Sequence, residues 1–387
     1  MKKLMVIFLA LTLLAFPLVG GCNGDDGDVN GDVNGDVNGD VNGDVNGVVE
    51  TFEFTYNILF GSTNYHGVLA QAWADEINAR TDGRVTITVY PGFALAPPPQ
   101  IYDAVVEGIS DIGFCLFAYS MGRFPVCTLV DLPHGYPSGW VATRVVWDFY
   151  NEFMPDELAD THVLYLHAHG PGVVVTVDKP VYTMEDLEGL VIRATGVGAM
   201  VMEELGATPY SASMGGALEL LEKGTIDGSY EPLEPLIGWG HAPTVKYVTN
   251  CYEVGYTTDF FIAMNLDKWN SLPSDIQQVF TEVSEEWIEK HGKVWVAYDN
   301  EGREYFLSLG EGREIIELTP DEMARWVAAG EVAKADYMAE MVAMGLPAAE
   351  YEDYINERIA YWSALAPSEA ECIFWVEQNV IPLLPGE

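Results

Sequence analysis

From position 52 onward the chain alternates short runs of period two with longer runs of period 3.6, which constrains its fold more than any other feature. Phe52, Phe54, Tyr56 and Ile58 fall on one face of a strand, and residues 64–80 follow with Val68, Leu69, Ala72, Trp73, Glu76 and Ile77 at helical spacing. Val85, Ile87 and Val89 alternate again, after which 97–108 reads as a helix and 111–118 as a strand. This order predicts βαβ units and an α/β fold. In the second half, 163–167, 173–177 and 190–194 read as strands, 183–188 as a short helical turn, and 198–205 and 213–223 as helices, the last stopped by Gly224. Residues 274–309 hold almost no breaker beyond Gly292 and Gly302, and predict a helix long enough to lie across two domains. The stretch from Val48, about 340 residues, is long enough for both.

The N-terminus has a different character. Lys2 and Lys3 precede an apolar run over 4–17, the layout of an export signal and too short for a membrane span. The run ends in Val19-Gly20-Gly21-Cys22, which resembles the bacterial lipoprotein processing site. That predicts removal of 1–21 and lipidation of Cys22; ordinary secretion is the other reading, and both put the mature protein outside the cytoplasm. Residues 22–49 are of low complexity, with Gly-Asp-Val-Asn repeated five times from Gly27. The repeat resembles a calcium loop at its start, but Val33 stands where an EF-hand from Asp28 needs glycine and Gly39 where it needs glutamate. A solvated spacer with an end-to-end distance of roughly 25–30 Å is the better reading.

Charge narrows the partners. The chain carries 18 Lys+Arg against 59 Asp+Glu, a net −41, and loss of Lys2 and Lys3 takes this to −43. Such a surface repels nucleic acid and anionic headgroups. An anionic ligand therefore needs a local positive site. Four cysteines follow Cys22: Cys115, Cys127, Cys251 and Cys372. An exported chain can pair them, with Cys115 to Cys127 favoured across the turn-like 120–125; buried free thiols are the alternative.

The order of motifs resembles the solute-binding receptors of TRAP transporters, the C4-dicarboxylate receptor family. Thr81-Asp82-Gly83-Arg84-Val85 with Tyr90-Pro91-Gly92, Glu107-Gly108-Ile109-Ser110-Asp111-Ile112-Gly113, and Phe124-Pro125-Val126 with Leu132-Pro133 carry the first half. Glu185-Asp186-Leu187-Glu188-Gly189-Leu190-Val191-Ile192-Arg193, Leu205-Gly206-Ala207-Thr208-Pro209, Glu222-Lys223-Gly224-Thr225-Ile226-Asp227-Gly228, Asn265 with Trp269 and Leu272-Pro273, and Leu318-Thr319-Pro320-Asp321-Glu322 carry the rest.

The resemblance implies a two-domain periplasmic-binding-protein clamshell with hinge strands and a long bridging helix. Residues 50–168 with 257–295 are expected in one domain, 169–256 with 312–387 in the other, and 274–309 in the helix. It implies a small organic anion as ligand, delivered to small and large membrane subunits, with no cofactor, no metal and membrane contact through the lipid anchor only. Arg193 falls on the arginine that pairs with the ligand carboxylate in this family; a domain-stabilising pair with Asp or Glu is the alternative. A guanidinium fork suits the first role, since it matches a carboxylate in two parallel bonds. Many relatives carry a second arginine near the position of Gly172, so the resemblance also implies a monocarboxylate here.

Ligands of α/β sheets meet loops at the carboxyl ends of strands. That logic nominates Phe60, Tyr65, Phe117, Tyr119, Met214, Tyr230, Glu231 and Phe260, the last just past a crossover at Thr257-Thr258, as an aromatic-lined cleft in which Glu231 meets a ligand hydroxyl, keto or amino group. Core packing is the alternative for each aromatic. His167 and His169 share a strand face and suit either a metal or hydrogen bonding beside the cleft, with His169 the site candidate. No Gly-x-Ser-x-Gly elbow, His-Glu-x-x-His or phosphate loop supports a hydrolase or lyase. A sensory receptor on the same scaffold remains a reading of the sequence.

Overall fold

The computed structural model describes residues 49–385; the signal, Cys22 and all but the last position of the 22–49 spacer lie outside them. Its strands are β1 (Phe52–Ile58), β2 (Val85–Tyr90), β3 (Ile112–Leu116), β4 (Thr161–Ala168), β5 (Val173–Thr176), β6 (Val191–Arg193), β7 (Thr208–Tyr210), β8 (Gly228–Glu231), β9 (Tyr247–Asn250), β10 (Asp259–Asn265) and β11 (Glu314–Glu317). They form two sheets, ordered β2-β1-β3-β10-β4 and β11-β9-β5-β8-β6-β7.

Each sheet takes in one strand straight after a crossover from the other. β5 follows β4 across residues 169–172 and runs antiparallel to β8 and β9; β10 follows β9 across 251–258 and runs antiparallel to β3 and β4. The two crossovers lie side by side, since His169 N–H donates to the Thr258 carbonyl at 3.3 Å and Thr257 Oγ1 to the His169 carbonyl at 2.5 Å. Asp131 pins the second one, its Oδ1 accepting the Asp259 N–H at 2.7 Å.

The helix Tyr65–Arg80 starts at Asn64, whose side chain accepts the His66 N–H at 2.9 Å, and buries Val68, Leu69, Trp73 and Ile77 on β1 and β2. The long helix Ser274–Ser308 buries Phe280, Val283, Trp287, Ile288, Trp295, Tyr298 and Phe306, a stripe that faces elements of both sheets. Trp295 donates its indole N–H to His167 on β4 at 3.0 Å, and Asp299, one turn on, accepts the Glu234 N–H beyond β8 at 2.8 Å.

Two expectations change. The segment 312–387 does not stay with the second sheet: the helix Pro320–Ala343 packs on Val197–Glu204, but Ala348–Ser363 returns to the helix Gly139–Phe153 and Glu369–Asn379 lies on the long helix. Asp148 holds that return, accepting the Trp362 indole N–H at 2.7 Å and pairing with Arg358. The Cys115–Cys127 bridge is absent; all four described cysteines are free and buried. Cys115 points from β3 toward the Pro98 carbonyl, 3.6 Å away, and Cys251 toward the Gly172 carbonyl at 3.4 Å.

Candidate functional site

Arg193 ends β6, between Tyr210 on β7 and Ser229 on β8. Its side chain therefore leaves from the carboxyl end of a parallel strand into the cleft. It is 4 % exposed, and Nε donates to the Ala212 carbonyl at 3.0 Å. Arg80, Arg84, Arg123, Arg144, Arg303, Arg325 and Arg358 all pair with carboxylates; Arg193 pairs with none among the described residues. A buried guanidinium held by one backbone carbonyl keeps the rest of its fork for another acceptor.

A cavity with about 420 Å³ of empty space, open solvent included, meets this guanidinium. Phe60 after β1, Phe260 on β10, Trp295 on the long helix and Trp239 form one wall. Phe60 lies 6.0 Å from Phe260, 6.2 Å from Trp295 and 5.9 Å from Trp239, ring centre to ring centre. Tyr119 and Met214 close the side near Arg193, where the Tyr119 hydroxyl accepts the Met214 N–H at 2.7 Å. Burial pushes the Tyr119 phenol up, and Arg193 beside it acts in the opposite sense.

Six of the ten residues nominated from the sequence line the cavity: Arg193, Phe60, Tyr119, His169, Met214 and Phe260. The other four do not. Tyr65 stacks on Tyr298 of the long helix at 4.1 Å. Phe117 packs in the core between Phe124 and Phe261, at 4.8 and 5.0 Å. Tyr230 sits behind Tyr256, stacked at 4.4 Å, so Tyr256 takes the lining position. Glu231 is fully buried against His241, 2.8 Å from its Nδ1. Burial pushes the Glu231 carboxyl up, but His241, Ser229 and Arg193 together hold it below its ordinary value.

The histidines part company. His167 accepts from Trp295 and stacks on His291 at 4.2 Å beneath the wall, while His169 lines the cavity with Nδ1 against the Gly170 carbonyl. Burial, opposed by that carbonyl and helped by Arg193, lowers His169 to about 4. Arg193 is then the one cation among the lining side chains. Among the described residues no three His, Cys, Asp or Glu side chains could together hold a metal.

Sequence reasoning missed Trp239, Tyr256, Trp295, Thr195 and Glu234. Glu234 had a signal: it stands three residues past Glu231 in Glu231-Pro232-Leu233-Glu234-Pro235, where proline-bounded backbone marks a loop at a strand end. Trp295 had none, being one of several buried residues on a long helical stripe.

Gly172, the position where the resemblance suggested a second arginine in relatives, is closely packed. A Cβ there would lie 2.4 Å from Tyr256 Cε1 and 2.9 Å from Tyr230 Cε2. The stacked tyrosines occupy the space a longer side chain needs.

Known proteins agree with this architecture. Residues 59–340 match the family described as bacterial extracellular solute-binding protein, family 7. A monocarboxylate 2-oxoacid-binding periplasmic protein of Nostoc sp. is 27% identical over 229 residues, which is 54% of this chain and 59% of that relative's length. A TRAP solute-binding protein of Rhodoferax ferrireducens, solved with copurified benzoate, superposes with a TM-score of 0.76 at 26% identity, covering 81% of this chain and 99% of that one. A marine metagenome TRAP solute-binding protein specific for aromatic acid ligands, solved with 3-hydroxybenzoate, gives 0.76 at 25% identity, covering 81% and 99%. With this match and this fold, the chain belongs to bacterial extracellular solute-binding protein family 7 and has the two-sheet architecture of the TRAP solute-binding proteins.

Proposed function

We propose that this protein is an extracytoplasmic receptor that binds a small aromatic monocarboxylate between its two sheets and delivers it to the membrane subunits of a TRAP transporter, without turning it over. The observation that carries this reading is Arg193, a buried guanidinium with no carboxylate partner among the described residues, facing a cavity walled by aromatic rings. Paired N–H bonds orient the ligand carboxylate, and ring burial adds about 25 cal/mol per Å² of apolar surface. A second carboxylate finds no cation besides Arg193 among the described lining side chains, only Glu234 in the wall, with Glu231 and Asp299 close behind. The benzoate and 3-hydroxybenzoate carried by solved relatives support the same class.

In this reading residues 169–172 and 251–258 are the hinge. Residues 1–21 are removed, Cys22 carries the lipid, and the repeat spacer lets the receptor move off a bacterial membrane. Native mass spectrometry of protein purified without refolding, then calorimetry with benzoate, phenylacetate and succinate, tests the ligand class. Binding of succinate with no binding of the aromatic acids overturns it. Intact mass of the membrane fraction tests the anchor: a mature chain beginning anywhere but Cys22, or without acyl mass, overturns that part.

A further inference from the structure

Glu234 is the one carboxyl among the described side chains of the cavity wall, and it is held as closely as Arg193. It is 1 % exposed, its Oε1 accepts the Asn64 Nδ2–H at 2.7 Å, and its own N–H donates to Asp299 Oδ1 at 2.8 Å. Gly238 makes room for it: a Cβ there would lie 1.8 Å from Glu234 Oε1. Asn64 takes one lone pair and Trp239 stands beside the carboxyl as a second donor, which leaves it capacity for a further partner.

The aromatic wall separates this group from Arg193. Trp239, beside Glu234, is 5.9 Å from Phe60; Phe60 is 6.2 Å from Trp295; Trp295 is 6.0 Å from His169. His169, with Tyr119 and Tyr256, feels the Arg193 charge. Seated on Phe60, Phe260 and Trp295 with its carboxylate on Arg193, an aromatic acid would turn its opposite edge to Glu234 in the same wall.

We propose that Glu234 reads that opposite edge and selects a hydroxyl on it, making the preferred ligand a hydroxy-substituted aromatic monocarboxylate. The inference rests on Arg193 as the carboxylate anchor. A hydroxyl both donates and accepts, so it pairs with a carboxyl in either protonation state. A bare C–H edge leaves a buried carboxyl without its ligand partner, which is costly. Burial, with Asp299 and Glu231 adding to it, pushes Glu234 up to about 8, so near neutrality the group offers a proton as well as lone pairs.

Calorimetry with benzoate, phenylacetate, their 3- and 4-hydroxy derivatives and the matching methyl derivatives as size controls tests this. In the wild type the better hydroxy isomer should bind roughly tenfold more tightly than its parent and its methyl analogue. In Glu234→Leu that ratio should fall to about one or below, with Glu234→Gln in between. A wild-type ratio of one overturns the inference even if the variants do not fold, as does an unchanged ratio in Glu234→Leu. Parents that bind without a hydroxyl preference sink this inference alone; failure of every aromatic acid to bind sinks the Arg193 reading with it.

Discussion

Asn64 donates its side-chain amide to Glu234 at 2.7 Å, joining the start of the helix Tyr65–Arg80 on the first sheet to the loop after β8 of the second. The same asparagine caps its own helix through Oδ1, so one residue serves both the helix and the cleft. Tyr119 and Met214 make a second bond of this kind at 2.7 Å. Both bonds span the two walls of the cavity, so closure and ligand contact involve the same side chains.

Opening should therefore respond to Asn64. Asn64→Asp keeps a capping acceptor but replaces the amide donor and, at pH 9, above the Glu234 value of about 8, sets two carboxylates together, whereas Asn64→Ala also loses the cap, worth about 1 kcal/mol. We expect small-angle scattering to give a smaller radius of gyration with saturating ligand than without, and Asn64→Asp to shift the ligand-free protein toward the larger value. Equal radii in all four samples would count against a clamshell.

Arg193→Ala should abolish binding and leave the fold intact, since Arg193 makes no ion pair among the described residues. The loss should be about 3 kcal/mol or more, roughly a hundredfold in affinity, because the ligand carboxylate is left buried and unpaired. Arg193→Lys should be nearly as damaging, as a point ammonium lacks the fork. Unchanged affinity in the alanine variant, read by calorimetry, removes Arg193 from the site.

Gly172→Ala should destabilise the protein by about 1–3 kcal/mol, because the added methyl meets a tyrosine ring stacked on a second buried ring. A thermal melt equal to wild type would show that Tyr256 yields freely, and would weaken the case that this space is closed to a second arginine.

Stability should fall as pH rises from about 6.5 to about 9. Burial raises Glu234 from 4.5 to about 8 and Asp299 from 3.8 to about 7, and Asp131 and Asp259 are raised by burial and, for Asp131, by its neighbour's charge. The folded protein holds these protons after the unfolded chain has released them. Their contribution is full below the unfolded values and is lost as pH passes the folded ones. His291, lowered by burial to about 3, and His169, lowered to about 4, act at the acid end: their contribution is present above 6.5 and lost as pH falls. Calorimetric melts should show a maximum on the mildly acidic side of neutrality and a shallower alkaline fall in Glu234→Gln. A slope identical to wild type would mean that Glu234 titrates alike in both states.

The thiols give a chemical check. Burial pushes Cys115 and Cys251 up to about 12 and Cys372 to about 11, so none offers a thiolate near neutrality. An alkylating reagent at pH 7 should leave Cys115, Cys127, Cys251 and Cys372 unmodified in the native protein and modify all four after denaturation. A Cys115–Cys127 linked peptide in a non-reducing digest would overturn this.

Local pattern determined much of this protein. Periodicity located the strand at Phe52–Ile58, the helix ending at Arg80 and the 35-residue helix Ser274–Ser308, because side-chain direction in regular structure is fixed by spacing alone. The motif order around Arg193 pointed to a solute-binding fold, and the matching family agrees. Spacing carries no information about partners distant in the chain. It could not show that β10 enters the first sheet antiparallel, that Ala348–Ser363 returns to Gly139–Phe153, or that Cys115 meets a carbonyl rather than a thiol. The same limit separated Tyr230 from Tyr256 and Glu231 from Glu234. Outside regular elements a side chain's direction is set by what packs against it, and here His241 holds Glu231 in the interior while Asn64, 170 residues away, binds Glu234 at the cleft.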